Sequence, residues 1–266
     1  MEFTFTKMEG LGNDYLYVYD DPDKYDAPAL SVKLSERHFG AGSDGMIWIM
    51  PSDNADFKMR IFNADGSEAK MCGNGIRCVG KFVYDHGYTA KDHLLIDTLS
   101  GIKTLDLKIK DGVAVGATVN MGKVDVSEPK TIDAGGEAVT CRPVSVGNPH
   151  AVIFVDDAEN APLTTLGPKV EKHPAFPGGV NTEFVQVIDN HHLRMRVWER
   201  GSGVTLACGT GACASVAAAV AAGYCPIDEE VTVTLDGGDL HIKITDDGAA
   251  VMTGPATTVY KGEVTL

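Results

Sequence analysis

Apolar and polar positions along this chain fall into short alternating runs, broken by glycine, asparagine and aspartate. Alternation with period two, rich in β-branched and aromatic residues, predicts strands. Such runs lie at 3–7, 15–19, 46–50 and 57–62, and again at 142–146, 151–155, 182–188 and 194–198. Further strands are expected at 105–110, 113–120, 231–235, 240–245 and 249–254. Two stretches read as helices. One covers 75–86 and stops at Gly87; the other covers 211–222 and stops at Gly223. A glycine just past the last turn is a common helix stop. The second helix has no charged face, so it is expected to be buried.

The pattern is written twice, at an offset of about 136 residues. Met59 to Phe62 recurs as Met195 to Trp198, Cys72-Gly-Asn-Gly75 as Cys208-Gly-Thr-Gly211, and Gly87-Tyr88 as Gly223-Tyr224. Upstream, Gly12-Asn13 matches Gly147-Asn148, and each is followed by an apolar run and an acidic pair. Collinear matches of this kind mark an internal repeat. The expected fold is α+β, with two pseudo-symmetric domains. Each is a curved, mostly antiparallel sheet or barrel around one central helix. The expected boundaries are 1–118 with a returning strand at about 260–266, and 119–259, with the active site in the cleft between the domains.

Composition narrows the function. A net charge of −14 argues against nucleic acid or an anionic membrane as partner, because both need a basic footprint. The N-terminus does not read as a signal peptide, and the apolar run at 214–222 is too short to span a bilayer. The chain is therefore expected in the cytosol, where its six cysteines stay reduced. Cys78, Cys141, Cys213 and Cys225 read as buried filler.

Cys72 and Cys208 read differently. Each occupies the same place in its copy, at a glycine-rich turn that opens the central helix. The first N–H groups of a helix lack intrahelical partners, and its dipole favours negative charge there. That setting suits a bound carboxylate and favours thiolate over thiol. Two such cysteines on opposite sides of one ligand would supply a base for one face of a stereocentre and an acid for the other. Zinc fits poorly, since the second cysteine of each local pair falls inside the helix. Nucleotide binding lacks the Gly-Lys-Ser/Thr or Rossmann spacing. Asn63 and Glu199 share a repeat position at the end of a strand before each cysteine loop. Asn13 and Asn148 do likewise near the start of each copy, with His150 beside Asn148. Arg200 could meet a substrate carboxylate in fork geometry.

With these residues the chain resembles the diaminopimelate epimerase family. The matching stretches are Lys7 to Asp14, Phe62 to Ala69, Met71 to Cys78, Gly147 to His150, Val180 to Phe184, Trp198 to Gly201, Ala207 to Cys213 and Met252 to Ala256. The resemblance implies interconversion of LL- and meso-2,6-diaminopimelate in lysine and peptidoglycan precursor synthesis, with no pyridoxal phosphate, metal or other cofactor. It implies that Cys72 and Cys208 are the acid/base pair, with His150 and Glu199 as catalytic helpers. It places Asn13, Asn63, Asn148, Asn181, Glu199 and Arg200 around the substrate, with the loop amides of Gly73-Asn74 and Gly209-Thr210. It also implies a homodimer, with Tyr260 matching a tyrosine at that contact. Gly45 stands where some members have glutamine, so that ligand is not carried over. The alternatives are a proline-racemase-like two-cysteine racemase, and a thiol redox or binding module.

Overall fold

The computed structural model describes residues 2–266. The chain opens with β1 (Glu2–Gly10), β2 (Asn13–Tyr19), α1 (Ala27–Ser35), β3 (Gly45–Met50), β4 (Phe57–Asn63) and β5 (Glu68–Ala69). There follow α2 (Gly73–Asp85), β6 (His93–Thr98), β7 (Gly101–Lys110) and β8 (Val113–Lys123). Next come β9 (Asp125–Val126), β10 (Lys130–Asp133), β11 (Ala138–Ser145), β12 (Pro149–Phe154), α3 (Leu163–Glu171), β13 (Asn181–Asp189), β14 (His192–Glu199) and β15 (Gly203–Val204). The chain closes with α4 (Gly209–Ala221), β16 (Glu230–Leu235), β17 (Gly238–Ile244), β18 (Ala249–Pro255) and β19 (Thr257–Thr265). Among the described residues no helix is long and apolar enough to cross a membrane.

The chain divides into two compact units: Met1–Val119 with Gly254–Leu266, and Asn120–Thr253. Residues 254–259, expected in the second domain, pack with the first. There Thr257 and Thr258 of β19 pair with Glu9 and Met8 of β1.

In the first unit β2 runs parallel to β3 and β4 parallel to β6, while β1–β19, β1–β2, β3–β4, β6–β7 and β7–β8 are antiparallel. The second unit repeats the plan. There β12–β13 and β14–β16 are parallel, and β11–β12, β13–β14, β16–β17 and β17–β18 are antiparallel. Parallel neighbours need a crossover. In each unit a short helix (α1, α3) makes the first crossover and the long helix (α2, α4) makes the second.

The long helices are the buried ones. All of α2 except Tyr84 and Asp85 is buried, and it packs against β1, β2 and β7. α4 packs against β11, β12, β13, β14, β16 and β17. The opposite sheet face of each unit is covered by the short helix. Leu30 and Leu34 of α1 join Met46, Trp48 and Phe62 in one apolar cluster. Leu163, Leu166 and Val170 of α3 join Ala151, Ile153 and Phe184 in another. Covering on both faces explains why β3, Gly-Met-Ile-Trp-Ile-Met, is almost wholly apolar.

Neither short helix shows in the residue pattern. α1 is capped by Asp26, whose carboxylate accepts from Ala29 N, and carries proline in its first turn. α3 contains Gly167-Pro168, which reads as a break. Packing decides it: a Cβ at Gly167 would lie 2.6 Å from Trp198 Cβ. The long helices begin two residues earlier than the pattern suggests, so each cysteine is itself the N-cap.

Candidate active site

Cys72 and Cys208 adopt the same extended backbone, φ −137°, ψ 117° and φ −126°, ψ 105°. Each sulfur accepts the N–H three residues on: Gly75 N at 3.3 Å and Gly211 N at 3.4 Å. A side chain accepting an otherwise orphaned helical N–H is the usual N-cap arrangement. Here the acceptor is sulfur, so the cap also favours negative charge on it. The glycines make this approach possible. A Cβ on Gly75 would meet Cys72 Sγ at 3.4 Å, and one on Gly211 would meet Cys208 Sγ at 3.2 Å.

Cys72 is half-buried, and among its neighbours are the Asn13 amide and the Tyr15 phenol. Its thiol donates to Asn13 Oδ1 at 3.3 Å, and Asn13 Nδ2 donates to Asp44 Oδ2 at 2.8 Å. Asp44 in turn pairs with Arg37 at 3.0 Å. The Tyr15 hydroxyl bonds with Asn13 and Cys72; burial, and then the proximity of Cys72 and Asp44, push its pKa well up. Asn63, at the end of β4, donates from Nδ2 to Ser67 Oγ at 3.1 Å. Asn74 is buried in the first turn of α2 and accepts from Arg77 Nη1 at 3.1 Å.

Cys208 is buried among charged groups. Glu199, at the end of β14, hydrogen-bonds Cys208 and accepts from the Thr205 hydroxyl. Burial raises the Glu199 carboxyl above the usual range, offset in part by these two hydrogen bonds. The Cys208 thiol is pushed well above its ordinary value, first by burial and then by Glu199 and Glu183. Beside it His150 Nδ1 lies 2.7 Å from Glu183 Oε1, and His150 Nε2 lies 3.1 Å from Asn148 Oδ1. Asn148 Nδ2 donates to Thr210 Oγ1 at 3.2 Å, which is 3.6 Å from Cys208 Sγ. Asn181 Oδ1 accepts from Arg200 N at 2.9 Å, and Arg200 Nη1 donates to Gly178 O at 3.0 Å. Arg200 is otherwise exposed. Each unit thus carries a thiol on a helix N-terminus with polar groups converging on it. Such a unit can hold an anion and move one proton.

A family model described as diaminopimelate epimerase matches residues 5–127 and 143–259. The chain belongs to the diaminopimelate epimerase family. Membership makes it an isomerase. Relatives named diaminopimelate epimerase include one from Acetivibrio thermocellus, 51% identical and covering 98% of both chains. Another, from Bacillus licheniformis, is 49% identical over 98% of both. Among solved structures, a PhzF-family phenazine biosynthesis protein of Bacillus anthracis superposes with a TM-score of 0.78 at 16% identity, covering 100% of each chain. A hydroxyproline epimerase from Agrobacterium vitis, solved with trans-4-hydroxy-L-proline, gives 0.73 at 17% identity, covering 100% of this chain and 93% of that one. These two show the shared α+β fold.

For this diaminopimelate epimerase family member, the structure gathers the residues expected from sequence into two groups. Asn13 and Asn74 lie with Cys72 in the first unit. Asn148, His150, Glu199 and Thr210 lie with Cys208 in the second. Asn63 and Asn181 stand at strand ends, Asn63 bonded to the Ser67 turn and Asn181 to the Arg200 backbone. At Gly45 no side chain fits: φ is +154°, and a Cβ would meet Phe62 O at 2.2 Å. Sequence reasoning did not single out Glu183, Thr205, Tyr15 or Asp44. Glu183 had one faint signal: it is the one carboxylate in the expected strand 182–188, where burying an unpaired charge is costly.

Proposed function

We propose that the chain interconverts LL- and meso-2,6-diaminopimelate by proton transfer between two thiols at one α-carbon, using no cofactor. The observation that carries this reading is the matched placing of Cys72 and Cys208 as N-caps of the two long helices, in a chain of this family. One sulfur, as thiolate, takes the α-proton; the other, as thiol, delivers a proton to the opposite face. One C–H bond breaks and one forms, and the two sulfurs leave the cycle with their protonation exchanged.

Burial and two nearby carboxylates hold Cys208 as thiol, so Cys208 is the resting acid, and Cys72, once it gives up the proton it shares with Asn13, is the base. The helix-start amides, including those of Gly73-Asn74 and Gly209-Thr210, stabilise the charge that develops as the proton leaves. Asn13, Asn63, Asn148, Asn181, Glu199 and Arg200 hold the substrate, with His150 and Glu199 at the reacting amino acid end. Arg200, exposed and carrying unused N–H groups, suits the carboxylate of the far end. That favours diaminopimelate over a proline-type substrate, which has one carboxylate. The enzyme acts in the cytosol, in lysine and peptidoglycan precursor synthesis, as a homodimer with Tyr260 at the contact. Tyr260 is exposed beside Phe5 and supports that placing.

The test is solvent exchange. In D2O the protein is expected to place deuterium at the α-carbon of diaminopimelate and not of proline. Cys72→Ala and Cys208→Ala should each abolish epimerisation. Retention of epimerisation in both variants overturns the two-thiol mechanism, and exchange into proline alone overturns the substrate.

A further inference from the structure

The internal repeat allows the two cysteine sites to be compared position by position. The parallel ladders pair Leu16 with Met46 in one unit and Ala151 with Thr182 in the other. By that register Tyr15 corresponds to His150 and Ile47 to Glu183. The helix glycines agree. A Cβ on Gly75 would meet Ile47 Cδ1 at 2.6 Å, whereas one on Gly211 would meet Glu183 Oε1 at 2.9 Å. The same scaffold position under the helix start therefore holds an isoleucine in one unit and a carboxylate in the other. Both side chains are fully buried.

The fold does not need that carboxylate, since isoleucine fills the equivalent place. Burying it is costly, because a charge removed from water must be fully paired to break even. Glu183 is only half satisfied. Oε1 meets His150 Nδ1, while Oε2 is enclosed without a hydrogen-bond partner. A buried group left in that state calls for a reason other than packing.

The reason lies in the chain of bonds that starts at Glu183. It runs through His150, Asn148 and Thr210 and ends on Cys208 Sγ, with steps of 2.7, 3.1, 3.2 and 3.6 Å. An ionised carboxylate only accepts; a neutral imidazole donates from one nitrogen and accepts at the other, an imidazolium donates from both, and amide and hydroxyl can each do both. Both ring nitrogens of His150 lie against oxygens, so the ring that fits this arrangement is the imidazolium, donating from Nδ1 to the Glu183 carboxylate and from Nε2 to Asn148 Oδ1. The Asn148 amide then donates to Thr210 Oγ1, and the remaining hydroxyl proton of Thr210 faces the sulfur. We propose that Glu183 is a positioning residue for the proton transfer. By pairing its charge with a doubly protonated His150 it fixes the direction of this chain, so that Thr210 donates to Cys208 Sγ when that sulfur has given up its proton. Such a donor acts on the charged sulfur rather than on the bound substrate, so it bears on turnover rather than affinity. The inference rests on the two-thiol reading above and adds a residue to it.

The experiment compares two substitutions in the full-length protein. In Glu183→Gln the shape is kept but the charge is lost, so His150 keeps a single ring proton and the chain can run in either direction. In Glu183→Asp the shape is worse, but the acceptor-only character is kept. The expected result is a loss of about tenfold or more in kcat for E183Q, with KM within about threefold, and a higher kcat for E183D than for E183Q. A purely structural role predicts the reverse order. Wild-type kcat in E183Q, or E183D below E183Q, overturns the inference. If either variant fails to fold, Thr210→Val cuts the chain at its far end. It should lose kcat to a similar degree, wild-type kcat in T210V overturning the inference, and where E183Q folds, adding it to T210V should cost nothing more. Additive losses overturn the inference. A wild-type protein that does not exchange the α-proton of diaminopimelate overturns the underlying reading instead, whatever the variants do.

Discussion

Two cysteines with the same backbone conformation and the same cap hydrogen bond differ because their neighbours differ. Cys72 faces Asn13 and Tyr15; Cys208 is enclosed with Glu199, Glu183 and His150. A buried thiol whose pKa is raised is a poor nucleophile at neutral pH. Iodoacetamide at pH 8 should therefore modify Cys72 at least about tenfold faster than Cys208, as read by peptide mass mapping over time. Equal rates would remove the assignment of Cys208 as resting acid. Glu199 gives a second test. Its carboxyl is raised by burial and held back by the Thr205 hydroxyl. Thr205→Val removes that restraint, so the carboxyl rises further. The acid limb of the kcat/KM profile should move to higher pH, and an unmoved limb would mean that Glu199 need not be ionised.

At the scale of elements, strands and long helices were legible because their period follows from which face is buried. α1 and α3 were not. Each is short, and α3 holds a glycine and a proline that local propensity assigns to a break. Both form because a parallel strand pair needs a crossover, and that requirement belongs to the sheet rather than to the nine residues. The glycine in α3 follows from the same packing, with Trp198 against the helix backbone. Gly167→Ala improves helix propensity yet should destabilise the protein by roughly 1–3 kcal/mol, the usual range for overpacking. The check is a lowered urea midpoint with an unchanged m-value. A raised midpoint would show that Trp198 yields easily.

For the molecule as a whole, burial of thiols sets an alkaline limit. Burial pushes Cys78 up to about 11, and its thiol donates to Glu9 O at 3.3 Å. The unfolded chain has an ordinary cysteine near ~8.5. The folded form holds its proton to higher pH, so this contribution to stability is full below ~8.5 and is lost as pH rises toward about 11. The loss is about 3 kcal/mol, and urea midpoints at pH 7.5 and 10.5 should show it. Cys78→Ala should lower stability at pH 7.5 but flatten the alkaline decline; an equal decline in the variant would place the effect on other groups. Much of the larger design was readable from the chain alone. The offset repeats fixed a duplicated unit, and the paired Cys-Gly-x-Gly turns marked the chemistry, because turn glycines and strand alternation act over a few residues. The sequence determined that there are two thiols, in matched places, on helix starts. It could not determine that they are unequal. Tertiary structure decided that, by setting Ile47 and Tyr15 beneath one helix start and Glu183 and His150 beneath the other. A thiol's ionisation depends on the burial and charge of groups brought beside it in space, from strands far away in the chain.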